Sequence, residues 1–352
     1  MSKIIATQRY MNLAFSLAKK GMGQTWTNPL VGAVIVKDDQ VLATGYHQHY
    51  GQSHAEVNAI KNLPSIKLAQ GATIYVTLEP CNHFGKTPPC TQRLIDVGIK
   101  KVVIGQLDPN PLVAGNGVKH LQESGIEVTI LNQTGNINQF YNFFYHQQRP
   151  FVTLKYAVSL DGKINGPESK RTLLTGKESK VDSQKLRLQY QAILIGENTL
   201  TIDNPLLIVP DQQTDFPAIR IIVVEDANQV NPNLRLFTNS APIWLLSRQP
   251  NYRHWSDFVT VFDQKSWTPT EITRLLTEQG IQSLLIEGGS RTHSRFISSE
   301  IVDQITIYLA PIILGGTALP AVYGTASSQL NFEIKAIKQV GKDLRIDARR
   351  ES

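Results

Sequence analysis

Four residues in the first hundred have the types and spacing for metal-assisted hydrolysis. His54 and Glu56 stand in the string His54-Ala55-Glu56. Cys81 closes Thr77-Leu78-Glu79-Pro80-Cys81, and Cys90 ends Pro88-Pro89-Cys90. The chain has only 2 cysteines, and both are here. One imidazole and two thiolates supply three of the four ligands of a tetrahedral zinc. A fourth position left to water distinguishes a catalytic zinc from a structural one. Glu56 is not needed as a ligand, so it is free to move protons. The chemistry expected is attack of a metal-activated water on an amino-bearing heteroaromatic carbon.

Zinc deaminases carry His-x-Glu followed by Pro-Cys-x-x-Cys, with the Glu outside the ligand set. This chain departs from that spacing: eight residues, not two, separate Cys81 from Cys90. Two alternatives follow. The cysteines are unrelated buried thiols, or a further ligand such as His83 closes a structural zinc site.

The elements around these residues read as alternating α and β. Gln8 to Lys20 has the period of an amphipathic helix, with Met11, Ala14, Phe15 and Ala18 on one face and Gly21 to end it. Val31 to Val36 reads as a buried strand, turned at 37–40 into a second strand from Val41 to Tyr46. Ser53 is a candidate N-cap for a helix from His54 that carries Val57 and Ile60 inward. Strand Ala72 to Leu78 delivers Cys81, and the two prolines place Cys90 in a first helical turn. A helix N-terminus there favours thiolate. Strand Lys101 to Gly105, helix Val118 to Glu123 and strand Ile126 to Leu131 follow. The aromatic stretch Asn138 to Tyr145 yields to Gln147-Gln148-Arg149-Pro150, where the domain joint is placed: domains of 1–146 and 147–352. Beyond it, strands are expected at Phe151–Tyr156, Ala192–Ile195, Ile219–Val224, Ile243–Leu246, Ser283–Ile286 and Gln304–Leu309. Helices are expected at Ser179–Tyr190, Thr270–Glu278 and Thr292–Ser299, with a hairpin from Phe332 to Asp347.

A length of 352 residues agrees with two domains, and 41% hydrophobic with 18% charged residues gives globular cores. No apolar run approaches the ~18 residues of a membrane span. Met1 to Thr7 has no apolar core of signal-peptide length, so a cytoplasmic enzyme is expected. The net charge of +6 is scattered without a Lys/Arg block. A phosphorylated small molecule explains it as well as nucleic acid would. A zinc-stabilised nucleotide- or RNA-binding protein is the non-enzyme alternative, but no basic stripe studded with aromatics supports it.

The string from His54 to Asn58, with Thr77 to Cys90 and its Gly85-Lys86-Thr87-Pro88-Pro89 loop, resembles the bifunctional riboflavin-biosynthesis deaminase/reductase family. Asn28-Pro29-Leu30-Val31-Gly32, Gly45-Tyr46-His47 and Asp108-Pro109-Asn110-Pro111 extend the resemblance. It implies a cytidine-deaminase-like α/β/α domain followed by a dihydrofolate-reductase-like α/β domain, both small-molecule enzymes, in a homo-oligomer. The implied substrate is a diamino-pyrimidinone bearing a ribosylamino 5′-phosphate. Asn28 would orient its base, His83 and Lys86 on the inter-cysteine loop would contact the substrate, Lys86 through its charge, and Asp108 and Asn110 would bind ribose or phosphate.

The second half lacks Gly-x-Gly-x-x-Gly but carries Ile286-Glu287-Gly288-Gly289-Ser290-Arg291, a strand entering a glycine pair and then a helix. Such a junction lets backbone N–H groups approach a diphosphate. Arg291 and Arg295 add charge suited to the 2′-phosphate of NADPH. Leu154 to Lys163 and Glu197 to Pro205 resemble the reductase half of the same family. The resemblance implies hydride transfer to C1 of the ribosyl group. It places Ala157, Thr199, Asp203 and the loop Gly289, Ser290, Arg291, Thr292, His293, Ser294, Arg295 at the cofactor. Arg187, Leu207 and Glu287 would hold substrate, and Lys155 would supply the proton or charge that accompanies hydride addition. Where the family has Ser-x-Trp and Leu-Thr-Val-Arg, this chain has Arg171-Thr172-Leu173 and Leu207-Ile208-Val209-Pro210. Arg171 is the candidate to replace the missing charge. The alternative is a second domain that only binds or dimerises.

Overall fold

The first sheet is covered on both faces, which is why its strands read as nearly continuous apolar runs. A computed structural model describes residues 2–83, 88–166, 172–210, 214–324 and 330–351. Lys86 and Arg171 lie outside the described residues. The chain forms two units, Met1–Gln148 and Arg149–Ser352.

The first unit opens with α1 (Ser2–Ala18). Strands β1 (Gly32–Lys37), β2 (Gln40–Tyr46), β3 (Thr73–Leu78), β4 (Lys101–Gln106) and β5 (Glu127–Ile130) form one sheet in the order β2-β1-β3-β4-β5. β1 pairs antiparallel with β2 and β3; β3, β4 and β5 are parallel. Side chains alternate across β1. Val34 and Val36 pack under Met11, Ala14, Phe15 and Ala18 of α1. Ala33 and Ile35 face the other way, into a core with α2 (Ala55–Lys61), α3 (Cys90–Asp96) and α4 (Asn116–Glu123). Each fully buried Ile or Val there contributes roughly 1.5–3 kcal/mol relative to exposure. The aromatic stretch before the joint forms α5 (Gln139–Gln147). Gln148 ends it in the left-handed region, φ 54°, and its N–H bonds to the Phe144 carbonyl at 2.8 Å.

Two local expectations are corrected. His54, not Ser53, is the N-cap residue of α2, because Ser53 Oγ instead accepts from Lys61 Nζ at 2.8 Å. One residue of phase follows: Glu56 is buried with Ile60, and Val57 is only half-buried.

The second unit carries β6 (Phe151–Val158), β7 (Lys163–Asn165), α6 (Lys177–Arg187), β8 (Ala192–Gly196), α7 (Glu197–Asp203), β9 (Ile219–Val224), β10 (Ile243–Ser247) and β11 (Val259–Asp263). Then come α8 (Pro269–Glu278), β12 (Ser283–Ile286), α9 (Ser290–Ser298), β13 (Gln304–Leu309), β14 (Leu319–Pro320), β15 (Phe332–Val340) and β16 (Asp343–Arg350). The main sheet runs β11-β10-β9-β8-β12-β6-β13-β16-β15, and β14 pairs with β7. It is parallel from β11 to β13 and antiparallel through the terminal hairpin. Helix α7 and strand β11 were not anticipated: α7 is seven residues long, too short to show a helical period, and no residue of β11 is fully buried. Of the departures noted in the sequence, Leu173 and Pro210 are exposed.

Arg149 meets Asp303 through two 2.7 Å contacts, and Asp303 also accepts from the Val152 N–H at 2.9 Å, fixing the start of β6. Thr268-Pro269-x-Glu271 starts α8 with a complete capping box and proline in the first turn. Thr268→Ala should therefore lower stability by about 1 kcal/mol in urea unfolding. An unchanged midpoint would show that α8 is held by its buried face alone.

Candidate active site

The metal-ligating set is assembled at the ends of three elements. Asn58 of α2 reaches back with its amide to the carbonyls of Tyr46 and Ser53, at 2.9 and 3.1 Å, and fixes the loop that ends at His54. Cys81 follows β3. Cys90 opens α3, and its backbone N–H points at Cys81 Sγ, 3.4 Å away. His54 Nδ1 lies 3.4 Å from Cys81 Sγ and 3.3 Å from Cys90 Sγ. Zinc–ligand bonds of about 2.0 and 2.3 Å at tetrahedral angles require an N-to-S edge of about 3.5 Å. The three donor atoms, all within 4.8 Å of one another, fit that edge. His83 is exposed and stands outside the group. The described residues thus leave the fourth position open.

Electrostatics agree with a cation site. The hydrogen bond from Cys90 lowers the Cys81 thiol pKa, and His54 reinforces it; burial opposes both. Cys90 is pushed up by the same contact with Cys81 and by its burial. The Cys81 hydrogen bond raises His54 to about 9 against desolvation. A lowered thiol pKa beside a raised imidazole pKa favours a negative sulfur with a positive partner, the charge arrangement that a bound divalent cation would stabilise. Glu56 is buried in hydrogen-bond contact with Cys90, and burial raises its carboxyl to about 7.

Asn28 is placed by His47, a buried residue that sequence reasoning did not single out for a role. His47 Nδ1 is 3.2 Å from the Ser53 carbonyl and its Nε2 is 3.2 Å from Asn28 Nδ2. A carbonyl can only accept, so Nδ1 carries the proton and Nε2 accepts from Asn28. Burial, which lowers the His47 pKa, favours this neutral form. The His47 ring stands edge-on to His54 at 5.5 Å. Asp108 is buried, its Oδ1 accepting from the Asn110 N–H at 2.9 Å and the Tyr141 hydroxyl at 2.8 Å. Asn110 is half-buried, its Oδ1 accepting from the Leu112 N–H at 3.1 Å.

The second unit has its own charged centre. β6 and β12 are adjacent, with Leu154 opposite Ile286, so Lys155 and Glu287 emerge side by side. Arg187, last residue of α6, grips Glu287 with Nε at 3.0 Å and Nη2 at 2.6 Å. Burial raises the Glu287 carboxyl pKa, but the charges of Arg187 and Lys155 prevail and hold it down at about 2. Burial lowers Lys155, opposed by Glu287. Its Nζ stands 5.5 Å from the centre of the Tyr308 ring. Leu207 is buried with φ 55°.

Glycines bring the expected cofactor residues together. A Cβ on Gly288 would stand 2.7 Å from Thr292 Cβ, and one on Gly289 would stand 3.4 Å from Thr199 Oγ1. The junction of β12 and α9 therefore packs closely enough that Gly288 has no room for a side chain. Ser290 Oγ is buried at the start of α9 without a hydrogen-bond partner among the described residues. Such an orphan at a nine-residue helix N-terminus fits an anionic ligand such as a cofactor diphosphate. The expected continuous loop from Gly289 to Arg295 is divided by the helical period. Ser290 and His293 point inward; His293 packs 5.3 Å from Tyr156, pairs with the Ala321 carbonyl, and is kept neutral by burial. Arg295 donates to the Trp267 carbonyl at 2.6 Å, while Arg291 lies over Tyr323. Ser294 is half-buried, Ala157 pairs in register with Tyr308, and Asp203 ends α7.

Residues 5–106 match the cytidine and deoxycytidylate deaminase zinc-binding region, and residues 150–346 match the RibD C-terminal domain. The riboflavin biosynthesis protein RibD of Bacillus amyloliquefaciens is 37% identical, covering 96% of this chain and 95% of the relative. That of Escherichia coli K12 is 35% identical, covering 95% and 97%. Among solved structures, Acinetobacter baumannii RibD superposes with a TM-score of 0.90 at 32% identity over 99% of both chains. A deaminase/reductase from Thermotoga maritima gives 0.86 at 33%, covering 98% of this chain and 99% of that one. With a His/Cys/Cys centre in one unit and a half-buried Lys/Glu/Arg centre in the other, the chain belongs to the RibD family, bifunctional enzymes of riboflavin biosynthesis that join a zinc-dependent deaminase to an NADPH-dependent reductase.

Proposed function

We propose that the first unit hydrolytically deaminates 2,5-diamino-6-(5-phosphoribosylamino)pyrimidin-4(3H)-one, and that the second reduces the ribosyl group of the product to ribityl. The observation that carries the reading is the His54–Cys81–Cys90 triangle with the buried Glu56 carboxyl against it. Zinc held by these three residues supplies the charge that makes water nucleophilic near neutral pH. Glu56 accepts a proton from the attacking water and returns it to the departing amine, so that ammonia leaves as the C–N bond breaks. Asn28 donates to His47, which leaves its Oδ1 to accept an N–H of the substrate base. Asp108 shapes the loop from which Asn110 reaches the ribosyl phosphate, and His83 is a further candidate substrate contact.

In the second unit NADPH supplies the hydride. Lys155 provides the accompanying proton, Glu287 with Arg187 holds both the lysine and the substrate, and Leu207 is a further candidate substrate contact. Thr199, Asp203, Ala157 and the N-terminus of α9, with Gly289, Ser290 and Thr292, form the cofactor side. A half-buried cluster of three charges with shifted pKa values is more usual at a reacting site than in a module that only binds or dimerises, which supports an active reductase. The same reading makes this a cytoplasmic homo-oligomer acting on a small molecule rather than nucleic acid. The exposed Ile334 and Ile337 on edge strand β15 support self-association. Sedimentation equilibrium should return a multiple of the chain mass; a monomer would remove that part.

Glu56→Gln should retain zinc and slow ammonia release by about 10²-fold or more. Full activity would remove the proton-shuttle role. Lys155→Met should leave deamination intact and slow NADPH oxidation with the deaminated intermediate by a similar factor of about 10². A reductase that keeps its rate would place the proton donor elsewhere.

A further inference from the structure

Glu79 is buried at 4% exposure between the end of β3 and the zinc-ligating Cys81, and the chemistry above does not use it. Its carboxylate is filled by backbone amides. Oε2 accepts from Asp108 N at 3.3 Å and Gly115 N at 3.0 Å. Oε1 accepts from Gly117 N at 3.0 Å and Val118 N at 3.1 Å. One oxygen thus closes the loop 108–115 on itself, and the other fastens the first turn of α4. A Cβ on Gly117 would lie 2.1 Å from the Pro80 carbonyl, so the helix start presses directly on the Glu79-Pro80 backbone.

We infer that Glu79 is a positioning residue for deamination: its buried carboxylate clamps the loop from Asp108 to Gly115, so that Asn110 is presented to the substrate at a fixed place relative to the metal ligands. Inside the loop the remaining bonds are local. Asn110 N–H bonds to Asp108 Oδ1 at 2.9 Å, and the Val113 and Ala114 amides bond to the Asn110 carbonyl at 2.8 and 2.9 Å. Those bonds shape the loop but do not tie it to β3. Tyr141 holds Asp108 from α5, and Glu79 provides the tie on the side of Cys81. Four amides sharing one desolvated anion form charge-assisted bonds that a neutral group cannot replace. The inference rests on the reading that Asn110 binds substrate.

The test uses the full-length zinc enzyme and steady-state deamination kinetics. In Glu79→Gln, either amide orientation turns an NH2 group toward two N–H donors. The KM for the phosphorylated pyrimidine should rise about tenfold, with kcat falling by less than about threefold. Zinc content and NADPH-dependent reduction of the deaminated intermediate should stay unchanged on the same preparation. Glu79→Asp keeps the charge with a shorter reach and should fall between the two; if the Gln variant does not fold, the Asp variant decides. Asn110→Ala must itself raise KM, and combined with Glu79→Gln the effects should be less than additive. An unchanged KM in Asn110→Ala sinks the reading of the loop and the inference with it. A raised KM in Asn110→Ala beside an unchanged KM in both Glu79 variants overturns the inference alone, as would full additivity in the double variant.

Discussion

A thiolate removed from water must have a positive partner, and the first unit is built around that constraint. The Cys90 contacts and His54 favour the anionic form of Cys81. His54 faces that sulfur at 3.4 Å, and a zinc held by the same three residues would supply the positive charge. Everything that sets the geometry follows from where the three donors enter. The parallel pair β3–β4 places Cys81 and Asp108 at neighbouring strand ends, and the covering helices α2 and α3 start at the other two ligands. Ligand sites at the carboxyl ends of parallel strands are the usual outcome of α/β architecture.

The second unit solves a similar problem without a metal. Glu287 is half-buried, and the Arg187 fork that grips it and Lys155 beside it hold its carboxyl pKa down against desolvation. Two cations for one carboxylate leave a net positive site, which suits a phosphorylated substrate and a reduced dinucleotide. The glycine pair that follows Glu287 leads into α9, so the charge centre and the start of that helix adjoin in one stretch of chain. The two chemistries are of different kinds. One moves protons around a Lewis acid; the other adds hydride and proton to a carbon held among fixed charges.

Much of this was legible in the sequence where a single residue type had few alternatives. Two cysteines and a His-x-Glu string leave little else to be built, and the periodic face of α1 and the runs of β1, β3 and β4 were readable because both faces of that sheet are buried. The phase of α2 was missed by one residue because Ser53 found a lysine partner instead of capping. The division of the α9 residues was missed because a contiguous motif does not reveal which of its members a helix turns inward; His293 packs against Tyr156 while Arg295 reaches Trp267. His47 and Glu79 escaped for another reason. Glu79 acts through backbone amides from Asp108 to Val118, and His47 through the Ser53 carbonyl and the Asn28 side chain; no spacing rule encodes those. Their only trace was membership in the strings Gly45-Tyr46-His47 and Thr77-Leu78-Glu79-Pro80-Cys81.

The central claim is that one chain carries out both steps in sequence. Zinc-loaded protein incubated with the diamino-pyrimidinone ribosyl phosphate and NADPH, with ammonia and NADPH followed separately, tests it most directly. The account predicts ammonia release followed by oxidation of one NADPH for each ammonia formed. Ammonia without NADPH oxidation, or no ammonia from zinc-loaded protein, would contradict it.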